Sequence, residues 1–418
     1  MQKIFLSAIK KSAIIAGMLF KDIIGQAEVK TQLLELVQHN RLSHALIFLG
    51  REGSGALPLA ITFAEYISLV PRSGSSVSSL FGEAPETAPV LPSTPQEADE
   101  WMQRQDGYSK IKELVHPDIH FSYPVITKKP GTPPISTDYI SEWREFIAGY
   151  PYGNVYDWLQ FIGAENKQGN ITAHECNDII RKLSLKSFES EYKSLVMWMP
   201  EYLGNEGNKL LKLIEEPPAN TLFILVAENE SQILPTILSR CQLIRIPSLE
   251  TTDIETALIN RNKTEPTAAR QAASVSEGNY RDALQLLQHA DEDWQSFLRD
   301  WLNAVLKTGP VAQTKWVEDI SKLGRERQKQ FLRYFNHLLE QAIRLGIMGD
   351  SYYLPDKEKD FAARLNKIAS LAQQQVIIEE LDKAAYYIER NANAKILFHA
   401  LTIKLYHIIQ DKIVFLTT

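Results

Sequence analysis

Apolar positions along this chain fall into two regimes. In the first, short unbroken runs recur: Ala45 to Leu49, Leu195 to Met199, Leu222 to Val226 and Gln242 to Ile246. Each is too brief for a free-standing helix and is bounded by turn or breaker residues, which predicts strands buried on both faces. Between the second and third runs, Leu210, Leu211, Leu213 and Ile214 give a helix its apolar side. Pro217-Pro218 ends that helix, because proline supplies no amide donor and restricts the residue before it. Val29, Leu33, Leu34 and Val37 space another helix ahead of the first run. Strands separated by helices predict a parallel sheet. In the second regime, from Leu249 to about Ala290 and again from Trp294 to Thr418, the pattern is helical. Phe331, Tyr334, Leu338 and Leu339 mark buried faces there, and periodicity alone gives a helical bundle.

Composition narrows this picture. A chain of 418 residues with 44% hydrophobic and 23% charged residues suits two or three globular domains. A net charge of -6 excludes a surface that grips nucleic acid throughout, since neutralising phosphates takes clustered Lys and Arg. Any DNA contact is expected to be local or made by partners. Cys176 and Cys241 are the two cysteines, far apart in sequence; a reduced, cytoplasmic setting without a disulfide framework is expected. Residues 1–17 are mildly basic and apolar, but their charge-interrupted run is not read as a signal peptide. An extension or a misplaced start is expected instead. No stretch of the sequence is long and apolar enough to span a membrane.

The candidate chemistry sits at the ends of the predicted strands. After Ala45–Leu49 comes Gly50-Arg51-Glu52-Gly53-Ser54-Gly55, then a helix from Leu57, the context in which a phosphate loop has physical meaning. A working loop reads G-x-x-x-x-G-K-[ST]: its amides cradle phosphates, its lysine neutralises the outer ones and its hydroxyl holds magnesium. Here Ala56 stands for the lysine, Leu57 stands for the hydroxyl, and Glu52 adds negative charge. The expectation is a turn that supports packing rather than a triphosphate site, because much of a phosphate site's affinity comes from charge.

Two blocks, L-L-K-L-I-E-E-P-P at Leu210–Pro218 and I-L-P-T-I-L-S-R-C at Ile233–Cys241, together with their spacing, resemble the AAA+ ATPase core of clamp-loader subunits. The resemblance covers roughly Leu19 to Ser68, His116 to Phe121 and Ile171 to the C-terminus. In that family the strand matching Leu195–Met199 runs into an Asp-Glu pair that serves magnesium and the attacking water. Pro200 stands in the aspartate's place here and Glu201 survives; a proline ring offers a hard cation no oxygen. The resemblance implies that Arg240 is an arginine finger, projecting to ATP held by a neighbouring subunit. It likens S-E-G-N-Y-R-D-A-L-Q-L-L to the lid helix whose arginine, here Arg281, senses nucleotide in active members. With both nucleotide motifs degenerate, Arg281 is expected to be structural, held against the core or an acidic group. The closing I-E-R-N-A-N-A-K-I-L-F-H-A-L-T-I-K-L is likened to the last helices of the ring-forming collar.

Two stretches depart from the family, on either side of one that matches it. Pro71 to Glu100 is rich in Ser, Pro and Gly and is expected to be a mobile excursion. Relatives often carry a four-cysteine zinc module here, but no cysteine precedes Cys176, so no zinc is expected. His116, Asp118 and His120 alternate as a metal site on one strand face could, yet match a family H-P-D strand and are read as structural. Trp143, Phe146, Tyr150, Tyr152, Tyr156, Trp158 and Phe161 crowd one segment beside Asp138, Glu142, Glu145 and Asp157. Such acidic company disfavours base stacking, so they are read as a helical elaboration packing on the core.

The fold expected is an α/β AAA+ core, a parallel sheet flanked by helices, over residues 18–248, with an inserted loop at about 71–110 and a helical elaboration at about 135–165. A small helical lid at 249–292 and an all-α collar at 293–418 complete it. The function the resemblance implies is a non-hydrolysing stator of a bacterial clamp loader, part of a DNA polymerase holoenzyme, that binds no cofactor and lends Arg240 in trans. Its implied partners are the motor subunits (gamma/tau) and the delta subunit in a hetero-pentamer, with the sliding clamp and primed DNA reached through the complex. An ATP-hydrolysing motor subunit and a non-replicative scaffold on the same fold are the alternatives.

Overall fold

The computed structural model describes residues 18–71, 91–128, 130–164, 167–288, 294–349, 356–389 and 392–412. The expectations for the 1–17 extension and for the Ser/Pro-rich run at 72–90 lie outside the described residues. Two compact units divide the chain, Met1–Leu284 and Gln285–Thr418.

The first unit is built on a five-stranded, all-parallel sheet. Its strands are β1 (Ala45–Gly50), β2 (Ile119–Ser122), β3 (Lys193–Trp198), β4 (Thr221–Ala227) and β5 (Gln242–Ile246), in the order β2-β3-β4-β1-β5. Register pairs Val196 with Ile224 and Ile47 with Leu225. Because side chains alternate along a strand, the continuous apolar runs divide between two cores. Leu46, Phe48, Val196, Ile224 and Ile244 face one core, which also takes Leu59 and Phe63 of the helix Ala56–Leu69. Ile47, Leu195, Met197, Phe223 and Leu225 face the other, with Ile179 of the helix Ala173–Ser184 and Ile214. Unbroken apolar runs are what a sheet covered on both faces demands. With all strands parallel, the ends of β1, β4 and β5 open on the same edge, where ligands of open α/β sheets bind.

The stretch expected to be a loop at about 71–110 is partly helical. Pro95–Gln103 forms a helix because Thr94 Oγ1 accepts from the Glu97 amide (3.2 Å) while Glu97 Oε2 accepts from the Thr94 and Ser93 amides (3.2 and 2.9 Å). This reciprocal capping, with proline at the first helical position, starts a helix that composition alone conceals. Ala98 and Met102 are buried, and the Asp99 carboxylate accepts from the amides of Phe20 (2.7 Å) and Lys21 (2.9 Å). A second short helix, Tyr108–Lys112, follows.

Asp118 accepts from three successive amides, Phe188, Glu189 and Ser190, at 2.6 to 2.8 Å. It thereby ties the entry to β2 to the loop before β3. Burial, with Lys182 and Lys193 nearby, lowers His120 to about 4.

The second unit is helical: Trp294–Asn303, a π-helical turn at Ala304–Thr308, Pro310–Lys322, Arg325–Met348, Asp356–Ile368, Leu371–Glu389 and Ala394–Gln410. Its core centres on Trp301 stacked on Trp316, ring centroids 4.4 Å apart and 1° from parallel. Both indole N–H groups are satisfied, Trp301 by Thr402 Oγ1 (3.0 Å) and Trp316 by the Phe297 carbonyl (3.1 Å), as buried tryptophans require. Among the described residues no helix is long and apolar enough to cross a membrane.

Candidate functional site

The glycine loop leaves β1 at Gly50 and enters the helix Ala56–Leu69 at Gly55. Gly53 and Gly55 have φ of +72° and +89°, a region costly for other residues. What presses on them comes from the chain itself. A Cβ at Gly53 would lie 1.8 Å from Asn279 Oδ1, and one at Gly55 would lie 3.1 Å from Tyr152 Cε1. The Tyr280 amide donates to the Gly53 carbonyl (3.3 Å). Gln26 closes the back of the loop, its Nε2 donating to the carbonyls of Ser54 (3.0 Å) and Pro247 (2.7 Å). Ala56 and Leu57, in the places where a lysine and a hydroxyl would serve phosphates, are buried.

Above the loop stands Arg281, at the start of the helix Tyr280–Gln288, its side chain 4% exposed. Its Nε and Nη2 donate to Asp157 Oδ2 (2.5 Å) and Oδ1 (2.7 Å) in a two-point fork. Its Nη1 reaches Glu52 Oε1 (3.1 Å) and Asp282 Oδ1 (3.5 Å). Asn279 Nδ2 donates to Asp282 Oδ2 (2.8 Å) and Glu52 Oε1 (3.4 Å). Three carboxylates thus converge on one buried guanidinium, and bidentate fork geometry is its strongest pairing. Asp157 is aimed by its own helix, Val155–Phe161, where Asn154 Oδ1 accepts from the Asp157 amide (2.9 Å) and Asp157 Oδ2 accepts from the Asn154 amide (3.2 Å).

Tyr152 fills the space beside Gly55. Its hydroxyl accepts from the Ile24 amide (2.8 Å), and its ring meets Tyr280 edge to face at 5.0 Å. Burial pushes the Tyr152 phenol above its ordinary range and that of Tyr280 up to about 12. The recess left among Gly50–Pro58, Pro151–Gly153, Trp198 and Val226–Glu228 measures about 30 Å³, space for about one or two waters. Ligand pockets run to ~300–1,000 Å³. A wider, open recess of about 400 Å³ shares Gly50, Arg51 and Glu228 with the narrow one and is further lined by Arg245, Ile246, Pro247 and Ser248.

At the end of β3 the chain turns through Met199 (φ +58°) into Pro200 and Glu201. Neither Pro200 nor Glu201 lines the narrow recess. Glu201 Oε1 instead accepts from the amides of Glu228 (2.7 Å) and Asn229 (2.9 Å), closing the end of β4. Burial raises this carboxyl despite those amides. Trp198 walls the recess, with Trp143 at 5.4 Å and Phe146 at 6.2 Å behind it.

Arg240 lies elsewhere, after the short helix Pro235–Leu238. Its Nη1 donates to the Thr236 carbonyl (2.7 Å) and Ser239 Oγ (3.2 Å), and its Nη2 pairs with Glu215 Oε1 (2.5 Å). The side chain is 35% exposed and does not line the recess. The neighbouring Cys241 thiol is pushed up to about 11 by burial, which leaves it unreactive at neutral pH.

Of the residues singled out in the sequence, Gly50, Gly53, Gly55, Ala56, Leu57 and Arg281 are brought together; Pro200, Glu201 and Arg240 are not. Tyr152, Asp157 and Asn279 join the site and were not among the candidates. Asp157 had one local signal, the N-x-x-D reciprocal cap beginning at Asn154, which fixes where its carboxylate starts but not the arginine it reaches.

Residues 90–250 match the sequence model of a family described as "DNA polymerase III, delta subunit". The chain is 25% identical to DNA polymerase III subunit delta' of Bacillus subtilis (strain 168) over 261 residues, 62% of this chain and 59% of that protein. It is 30% identical to DNA polymerase III subunit tau of the same organism over 203 residues, 46% of this chain and 35% of that protein. It is 25% identical to the replication factor C small subunit of Methanocella arvoryzae over 237 residues, 54% of this chain and 70% of that protein. The chain therefore spans less than two thirds of the length of the two polymerase III relatives it matches.

Proposed function

We propose that this chain, a member of the clamp-loader subunit family of DNA polymerase III, serves as its delta-prime subunit, a stator that hydrolyses no ATP and supplies Arg240 to a neighbour's nucleotide. The observation that carries the reading is the glycine loop filled by the chain's own Tyr152 and Asn279, with about 30 Å³ open and neither lysine nor hydroxyl at 56 and 57. Three carboxylates around Arg281 would also repel a triphosphate entering there. Among the described residues, Arg240 is a catalytic group of the family pattern whose guanidinium is partly exposed, at 35%. Its exposed pair with Glu215 is worth about 0–1 kcal/mol, so the guanidinium can leave it for a phosphoryl group at small cost. A planar, always-charged fork is suited to charge developing on a transferring phosphoryl group. The partners of the reading are the gamma/tau motor subunits and the delta subunit, with the sliding clamp and primed DNA reached through the assembled loader.

The test is a reconstituted loader carrying Arg240→Ala. Its DNA- and clamp-stimulated ATPase should fall by about 10³-fold or more at the neighbouring site, the scale of arginine fingers, while subunit assembly by gel filtration is unchanged. An unaltered rate in an intact complex removes the finger role. Titrating the isolated wild-type chain with a fluorescent ATP analogue and magnesium should give no saturation at millimolar nucleotide. Saturation at micromolar nucleotide would favour a motor subunit instead.

A further inference from the structure

We propose that the segment Tyr150–Asp157, inserted between β2 and β3, is the resident occupant of the degenerate phosphate-loop site, an intramolecular ligand that clamps the lid helices to the core. The inference rests on the reading above that the loop holds no nucleotide. Four observations meet on it. The Tyr152 ring lies on Gly55, where the Cβ of any other residue would come within 3.1 Å of it, and the hydroxyl takes the Ile24 amide at 2.8 Å. Tyr152 also meets Tyr280, so one side chain touches the loop, the segment before the helix Ala27–Gln38 and the helix Tyr280–Gln288 of the expected lid. Asp157 receives the two-point fork of Arg281 at 2.5 and 2.7 Å, presenting two anionic oxygens to a guanidinium as a phosphate does. The reciprocal cap at Asn154 fixes Asp157, and the aromatic cluster of Trp143, Phe146 and Trp158 anchors the segment behind it. An occupant already on its tether needs no ligand concentration and pre-orders the site. The lid is then held against the core permanently, as a rigid stator requires.

The test separates this occupancy from the non-hydrolysing reading. Four full-length chains are compared: wild type, Tyr152→Ala/Asp157→Ala, Ala56→Lys/Leu57→Thr, and the two pairs combined. In hydrogen exchange, Tyr152→Ala/Asp157→Ala should exchange amides of 251–262 and 280–284 at least about tenfold faster, while amides of β3 and β4 at 193–198 and 221–227 stay protected and show that the first unit is folded. Tyr152→Phe, which keeps the ring, should move them far less. Unchanged lid exchange overturns the clamp. For the fluorescent ATP analogue, the combined variant should bind at least about tenfold tighter than Ala56→Lys/Leu57→Thr alone. Equal affinity in those two, or binding by neither, overturns the occupancy. Saturable binding by the wild type overturns the non-hydrolysing reading, and is scored separately.

Discussion

Arg281 and Asp157, 124 positions apart in sequence, meet through two parallel hydrogen bonds of 2.5 and 2.7 Å with the guanidinium buried. The pair joins the helix Tyr280–Gln288 to the helix Val155–Phe161 above the glycine loop. A buried charge cannot lose its partner cheaply, which makes this contact a test of how the helix Tyr280–Gln288 is held.

Asp157→Ala should therefore destabilise the first unit by about 3–5 kcal/mol, the cost of stranding a buried charge. Glu215→Ala, which removes the exposed partner of Arg240, should cost less than about 1 kcal/mol. Urea unfolding followed by tryptophan fluorescence measures both, and equal effects would mean that Arg281 finds full compensation from Glu52 and Asp282.

In the second unit the Trp301–Trp316 stack should dominate. Trp301→Ala is expected to cost about 3–5 kcal/mol. Thr402→Val keeps the shape but leaves the Trp301 N–H without its acceptor, an expected loss of about 1–3 kcal/mol. Calorimetry of the purified chain gives both values.

His337 supplies a pH dependence. Burial, reinforced by Arg344, lowers it to about 4 from an ordinary 6.5. Between pH 6.5 and about 4 the unfolded chain binds a proton at this position that the folded chain refuses. Stability from this group is thus complete above pH 6.5 and falls as pH drops through the window, by up to about 3 kcal/mol. His337→Leu should flatten that part of the pH profile of the second unit's unfolding; an unchanged slope would assign the dependence to other groups.

Thr94→Ala removes the oxygen that accepts the Glu97 amide and should cost about 1 kcal/mol. Hydrogen exchange should localise the effect to 94–103, and a uniform effect across the chain would mean that this helix does not open by itself.

The sheet was legible because its strands are covered on both faces, and double burial writes itself as unbroken apolar runs at Leu195–Met199 and Leu222–Val226. Pro217-Pro218 marked a helix end for equally local reasons. The helix Pro95–Gln103 was missed although Thr94, Pro95 and Glu97 spell a reciprocal cap, because the surrounding Ser and Pro content outweighed a three-residue signal. That Ala56 and Leu57 offer neither a lysine nor a hydroxyl could be read directly. What packs on the loop could not, since Tyr152 looks like any other member of an aromatic run and Asp157 like a solvated acid. Their role depends on a fold that carries residue 157 to residue 281, and no local pattern encodes that distance.

The glycines at 53 and 55 sit under a packing constraint that the chain itself imposes. A side chain at position 53 would drive into Asn279 and one at position 55 against Tyr152, so a substitution at 53 must displace Asn279 and one at 55 must shift the Tyr152 ring. The outline of the loop is held in shape by the side chains that press on it. For chains of this kind, a glycine-rich outline after a buried strand reports a concavity, while the identity of its filling is written in the side chains opposite.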